Sequence, residues 1–413
     1  MPRPRVAPNG RHLAFSDGSP FFWLADTAWE LFHRLTEDEA ESYLATRSLQ
    51  GFNVIQAVAL AELSGVRGPN RNGDLPLVDE DPTRPNEAYW AHVDRVIARA
   101  AAHGLYIGLL PTWGDYVNFS SWGTGPQIFD VENGRTYGRF IGTKYREWDN
   151  VIWINGGDRS PEGKKDVWRA LAVGVREGDD THERLMTFHP CGARSSAEDF
   201  HEEDWLDFNM LQTGHSTPNL DYLARMVRAS YDRQPTKPVL DGEPNYENHP
   251  VNFNMINGYF DAGHVRQATY TSVFCGGCGV TYGCHAIWQF AQDRYPPLNY
   301  PISHWRYSLD LPGAKEMRHL KDLMLSLPLF DLRPAPELLP DASSYRALAT
   351  ADRSCIAVYV HDGGSLTLRS PVKKAEWFDP TTGKRWPAER TEGHFAPPSR
   401  DGRVTDWVLI AGC

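Results

Sequence analysis

The chain has no long apolar run. Its first ten residues, Met1 to Gly10, hold Arg3, Arg5 and three prolines but no hydrophobic segment, which argues against a secretory signal or a membrane-spanning helix. The expectation is a cytoplasmic protein without a membrane partner. Cysteine is scarce, with six in 413 residues, spread from Cys191 to Cys413. That number in so long a chain does not make a disulfide framework, so free thiols are expected. Cys275 and Cys278 form a C-G-G-C, but only Cys284 and His285 lie near it, and a structural zinc needs a second ligand pair at matched spacing. No metal is expected. Glycine-rich phosphate loops, G-x-S-x-G elbows and His-x-x-x-His pairs are also missing, so no cofactor is implied. The 42 basic residues are scattered among 53 acidic ones for a net charge of −11. Such a chain lacks the concentrated positive surface that holds a phosphate backbone, so nucleic acid is not an expected partner. No pattern specifies an oligomeric state.

What is present is a globular composition, 41% hydrophobic and 23% charged. A length of 413 residues exceeds one core's usual limit of roughly 250 to 300, so two domains are expected. Up to about residue 328, short apolar β-rich runs alternate with helical patterns. The runs are Phe21 to Asp26, Asn53 to Leu60, Tyr106 to Trp113, Val151 to Ile154, Leu185 to His189, Phe208 to Gln212, Pro238 to Leu240 and Val280 to Trp288. Eight β-then-α units predict an α/β fold, a (β/α)₈ TIM barrel over residues 1–328, with a hairpin at Leu13-Ala14-Phe15 and Asp17-Gly18 plugging its bottom. Thr36 and Glu39 form a capping box, while Tyr89, Val93, Val96, Ile97 and Ala100 make one buried helical stripe. Prolines crowd residues 329–339, which read as a linker. Short strands in 340–413, from Tyr345 to Leu348 through to Trp407 to Ile410, predict a small β-sandwich.

Reactive groups of such a barrel come from the C-terminal ends of its strands. The carboxylates there are Asp26, Glu62, Asp115, Asp158 and Glu243, with Asp293 just beyond strand eight. Asp158 closes Asn155-Gly156-Gly157-Asp158, where the glycines let backbone approach a ligand; the alternative is an acid that caps the turn or the next helix. Glu243 precedes Pro244, which cannot continue a central strand, so it sits at the rim. Asp241 lies on the same face by alternation and is a rival or a partner one layer deeper. On strands four and seven, Asp158 and Glu243 stand almost opposite, so one can give a proton while the other attacks, as glycosidic cleavage requires. The rim suits a carbohydrate substrate. Trp113, Tyr116, Trp122, Tyr246, Tyr282 and Trp288 offer flat faces, and Asn155, His189, Gln212, His215 and His285 offer hydrogen bonds, with Asp26 and Asp115 as further contacts. A core position is the alternative for each aromatic, and a satisfied structural role for each histidine.

The segments Pro20-Phe21-Phe22-Trp23-Leu24-Ala25-Asp26-Thr27-Ala28-Trp29, Gly51-Phe52-Asn53-Val54-Ile55-Gln56, Gly108-Leu109-Leu110-Pro111-Thr112-Trp113-Gly114-Asp115, Asn155-Gly156-Gly157-Asp158-Arg159 and Lys237-Pro238-Val239-Leu240-Asp241-Gly242-Glu243-Pro244 together resemble the apiosidase-like glycoside hydrolases, glycoside hydrolase family 140. The resemblance implies a barrel, a C-terminal β domain of the collagen-binding type, and hydrolysis of an apiose glycoside. The acids of the family's Gly-Gly-Asp and Asp-Gly-Glu-Pro motifs fall on Asp158 and Glu243. Nothing in residues 340–413 reads as a collagen binder. Cys284-His285 stands where relatives imply a second histidine, which keeps other furanosides open, arabinofuranosides above all. The expected function is an exo-acting, retaining glycosidase with Asp158 as acid/base and Glu243 as nucleophile, acting on a plant glycoside or short oligosaccharide. The alternatives are another exo-glycosidase, a transglycosidase or lyase in the same groove, and a catalytically inactive sugar binder.

Overall fold

The computed structural model describes residues 1–413 except 119–121, 124, 181–183, 341–343, 392 and 400–405. Eight parallel strands surround the core: β1 (Trp23–Thr27), β2 (Val54–Val58), β3 (Tyr106–Leu110), β4 (Val151–Gly156), β5 (Met186–His189), β6 (Asn209–Gln212), β7 (Val239–Asp241) and β8 (Gly279–Tyr282). All eight are fully buried, as β-rich runs covered on both faces must be. The hydrogen-bonded order is β5-β4-β3-β2-β1-β8-β7-β6, ending in a short antiparallel strand, Arg194–Ser195, on the free edge of β6. No ladder joins β5 to β6. The ring closes there through Asp207, whose N–H donates to Met186 O at 2.8 Å and whose Oδ2 accepts from Met186 N at 2.6 Å, and through Thr187 Oγ1, which donates to Phe208 O at 2.6 Å.

Among the described residues seven helices longer than ten residues wrap the sheet: α1 (Glu37–Leu49), α2 (Glu87–Ala102), α3 (Val131–Tyr145), α4 (Lys165–Asp179), α5 (Leu220–Tyr231), α6 (Ala262–Phe274) and α7 (Pro312–Ser326). Thr36 and Glu39 form the capping box of α1, and the Tyr89-to-Ala100 stripe of α2 is wholly buried. One turn of 3₁₀ helix, Ser196–Glu198, replaces a helix between β5 and β6. Strand eight is shorter than its apolar run. It stops at Tyr282, because the backbone of Gly283 presses on Tyr246, where a Cβ would lie 2.0 Å from the ring, and His285–Trp288 then turns as a helix.

The C-terminal unit is a β-sandwich. Its larger sheet runs β9 (Arg346–Ala349), β10 (Ile356–Val360), β13 (Trp407–Ala411), β11 (Ala375–Phe378), β12 (Arg385–Pro387), all antiparallel. A smaller three-stranded sheet holds Leu366–Thr367, His394–Phe395 and Arg390–Thr391. The proline-rich stretch is not wholly irregular, since Arg333–Pro334 pairs with the outer edge of β9, a position proline tolerates. The sandwich packs on α6, with the Tyr359 ring 5.0 Å from Tyr270 and 5.8 Å from Phe274. Beside that contact Arg266 of α6 holds Asp406 at 2.6 Å and Glu316 at 2.5 Å.

The expectation of free thiols is corrected at one pair. Cys355 and Cys413 are disulfide-bonded, 58 residues apart in sequence, because the β10–β13 pairing brings the start of β10 beside the chain's last residues. Cys191, Cys275, Cys278 and Cys284 are free. No helix among the described residues is long and apolar enough to cross a membrane.

Candidate active site

β4 delivers Asp158 through two residues that only glycine accommodates. A Cβ on Gly156 would lie 2.2 Å from His189 O, and one on Gly157 2.7 Å from Trp113 Cε3, with φ of +90° and +131°. Backbone bonds from Gly157 N to His189 O (3.0 Å) and from Gly114 N to Gly157 O (3.1 Å) pin this turn to the ends of β5 and β3. Asp158 itself takes φ +49°, a left-handed conformation that Asp tolerates better than most residues. Arg159, buried beside it, donates to Asp158 O at 2.7 Å and has Nη1 3.4 Å from Asp158 Oδ2. Its guanidinium lies 4.6 Å from the ring centre of Trp122 and donates to Trp122 O at 3.0 Å.

Glu243 lies two residues beyond β7. Its Oε1 accepts from Gln212 Nε2 at 2.9 Å and contacts His215 Nε2 at 3.0 Å, and its Oε2 is 3.2 Å from His189 Nε2. Tyr246 packs tilted against His215 at 4.2 Å, and Trp113 and Trp29 flank His189 at 6.2 and 5.2 Å between ring centres. Glu243 is thus buried among histidine and tryptophan, with the partly exposed Asp158 near enough to feel its charge. Nδ1 of His215, Nε1 of Trp113 and Oε1 of Gln212 are buried without a protein hydrogen-bond partner.

The environments push the two acids apart. Burial raises the Asp158 carboxyl and the negative charge of Glu243 raises it further, against the opposing pull of Arg159, His189 and a hydrogen bond from Gln212. Burial also acts to raise Glu243, but the contacts of His189 and His215 and their charge outweigh it, so this carboxyl is held well below the usual range. One acid keeps its proton while its neighbour is ionised, the division that separates a proton donor from a nucleophile.

Asp158, Glu243, Trp113, His189, Gln212, His215 and Tyr246 come together. Other expected contacts do not. Asp26 and Tyr282 are register partners on the outward face of β1 and β8. There Asp26 accepts from Arg47 Nε at 2.7 Å and Tyr43 OH at 2.5 Å, and Tyr282 donates to Glu247 at 2.6 Å. Strand alternation turns both toward the helices. Asp241 is likewise not one layer beneath Glu243. It lies on the outward register and bonds Thr213 Oγ1 at 2.7 Å, because the strand ends before Glu243 and the alternation ends with it. Asp115 accepts from Gly125 N at 3.1 Å and so braces the loop that carries Trp122. Asn155 shares the register of Phe188, whose ring packs on Trp168 of α4, and it is wholly buried with neither amide atom bonded. His285 and Trp288 bond each other at 3.2 Å, and His285 Nε2 meets Asn299 O at 2.8 Å, so both brace the loop after β8. Sequence reasoning did not single out His249, 4.3 Å from His215 and 4.4 Å from His285, or Trp29. Arg159 appeared only as the last residue of a motif. Among the described residues no group of three or more His, Cys, Asp or Glu is placed to hold a metal ion.

An eight-stranded barrel carrying two carboxylates of opposite proton affinity at the ends of strands four and seven defines a glycoside hydrolase. The chain belongs to the apiosidase-like catalytic-domain family, whose model matches residues 7–331, and residues 335–412 match a family described as "Putative collagen-binding domain of a collagenase". A solved glycoside hydrolase is 30% identical, with TM-score 0.87 over 99% of this chain and 96% of its own. A family 5 glycoside hydrolase from Bacteroides vulgatus is also 30% identical, with TM-score 0.89 over 99% of this chain and 93% of its own. An endo-1,4-β-D-mannanase from Thermotoga petrophila shares the fold alone, at 14% identity and TM-score 0.51 over 73% of this chain and all of its own. No curated protein matches the chain.

Proposed function

We propose that this glycosidase removes a terminal apiose or related furanosyl residue from a plant-derived glycoside or oligosaccharide, with retention of configuration. Asp158 is the general acid/base and Glu243 the nucleophile. The observation that carries the roles is the opposed proton affinity of the two groups, with Asp158 raised by burial and by Glu243, and Glu243 lowered by two histidines. In the first step Glu243 attacks the anomeric carbon while Asp158 passes its proton to the leaving oxygen. In the second, Asp158 takes a proton from the water that releases the sugar. Retention requires a carboxyl separation of about 5 to 5.5 Å, whereas inversion leaves room for a water at about 6.5 to 9.5 Å.

The substrate contacts under this reading are Trp113, Gln212, His215, Tyr246 and His189 around the sugar. Apiose as the sugar is supported by the resemblance to the apiosidase-like family alone. The test is a panel of aryl β-apioside, aryl arabinofuranosides and common aryl pyranosides, with NMR of the first anomer formed. Turnover of the apioside with the β-anomer appearing first is the expected result. Preferred turnover of a pyranoside, or an α-anomer first, overturns it.

A further inference from the structure

The C-terminal sandwich carries a cleft of about 560 Å³ that the chemistry in the barrel leaves unused. It lies along β11, the edge strand β12 and the smaller sheet. Lys373, Lys374, Arg385 and Arg390 line it and are all exposed. Glu376 is the acidic side chain among the lining residues, and it is paired with Arg385 at 2.5 Å. Lys373, Lys374 and Arg390 have no acidic partner among the described ion pairs, Arg390 donating to the carbonyls of Gly393 and Leu368, so three cations line one cleft with their charge uncompensated.

This departs from the rest of the molecule. The chain's net charge is −11, yet residues 340–413 hold ten Lys and Arg against nine Asp and Glu. The floor of the cleft is apolar and fixed in place. Trp386 is half-buried, with its ring held edge-on by Trp407 at 5.5 Å, and Phe395 lies beneath Arg390 at 6.0 Å. A flat aromatic surface beside unpaired cations suits a ring that is apolar on its face and anionic at its edge. A linear glycan of uronate residues has that chemistry, and its repeated carboxylates can meet several cations of one cleft where a single small anion cannot.

We propose that this cleft binds a uronate-bearing polysaccharide and holds the glycosidase on an acidic glycan. Binding there raises the local concentration of the barrel's substrate linkages without touching the reacting pair. The inference rests on membership of the glycoside hydrolases and not on apiose as the sugar released, and the aryl-glycoside panel reports on the latter separately.

The test is native affinity electrophoresis of the full chain in gels containing polygalacturonate, compared with the same polymer fully methyl-esterified, which keeps the backbone and removes the charge. The wild type is expected to be retarded by the acid polymer alone, and retardation is expected to fade at about 0.5 M salt, where screening is strong. A Lys373→Ala/Lys374→Ala/Arg390→Ala variant is expected to bind at least about tenfold more weakly. Its thermal melting and turnover of a small aryl glycoside should stay at wild-type values. Trp386→Ala is expected to weaken binding with the salt dependence kept. Absent or equal retardation by the two polymers, retardation unchanged in the triple variant, or binding to a triple-helical collagen peptide in its place would each overturn the proposal.

Discussion

Gln212 donates from Nε2 to Oε1 of Glu243 across 2.9 Å, from the end of the neighbouring strand. His189 and His215 on the same carboxylate hold Glu243 below the usual carboxylate range, while burial, and after it the negative charge of Glu243, raises Asp158.

This gives the pH dependence a sign. The acid form of Asp158 is needed to protonate the leaving group, and its carboxyl is pushed up to about 6, so kcat/KM falls as pH rises through that value. Glu243, depressed to about 2, limits the rate only in strong acid. Glu243→Gln removes the charge that raises Asp158, so an NMR titration of the Asp158 carboxyl should show it losing its proton at lower pH than in the wild type. An unchanged titration would break the coupling.

Gly157→Ala should be costly. Its Cβ would enter the Trp113 ring at 2.7 Å in a conformation, φ +131°, that side chains rarely adopt. The expected loss is about 1 to 3 kcal/mol in a denaturant melt, with turnover reduced because the turn aims Asp158. A neutral substitution would mean that the close approach is dispensable.

The interface between barrel and sandwich depends on Arg266. Arg266→Ala removes the guanidinium that joins Asp406 to Glu316, and removal of one member of a buried ion pair costs about 3 to 5 kcal/mol. Calorimetry should show a lowered transition. Activity on a small aryl glycoside at low temperature should persist.

Thiol titration of the denatured chain without reductant should find the four free cysteines, and six after reduction. The bond closes a long loop, and in the chain-entropy account such a link contributes about 4 kcal/mol. Disulfides persist in oxidising compartments, which sets this pair against the cytoplasmic placement expected from the first ten residues.

Much of the barrel was legible because apolar runs and helical stripes repeat at fixed periods and because Thr36 and Glu39 mark a helix start. The positions of Asp158 and Glu243 followed from a strand running into Gly-Gly-Asp and into Glu-Pro. What failed were questions of direction. Asp26 and Tyr282 lie at strand ends like true rim residues, and only the register of β1 with β8 shows that they face outward to Arg47 and Glu247. The missing fifth helix was hidden because Ser196–Glu198 mimics a helix start with its own capping box. His249 was silent, since its role depends on stacking against residues 34 and 36 positions away in the chain. The Cys355–Cys413 bond was illegible because it depends on strand pairing across 58 residues.

The central claim, that Glu243 attacks the sugar while Asp158 manages the proton, is tested most directly by trapping. Asp158→Ala mixed with a dinitrophenyl β-apioside should form the glycosyl-enzyme, because so good a leaving group needs no acid, and should hydrolyse it slowly without the base. Peptide mass mapping should then place the sugar on Glu243. A sugar on another residue, or full turnover by Asp158→Ala of a substrate with a poor leaving group, would contradict the account.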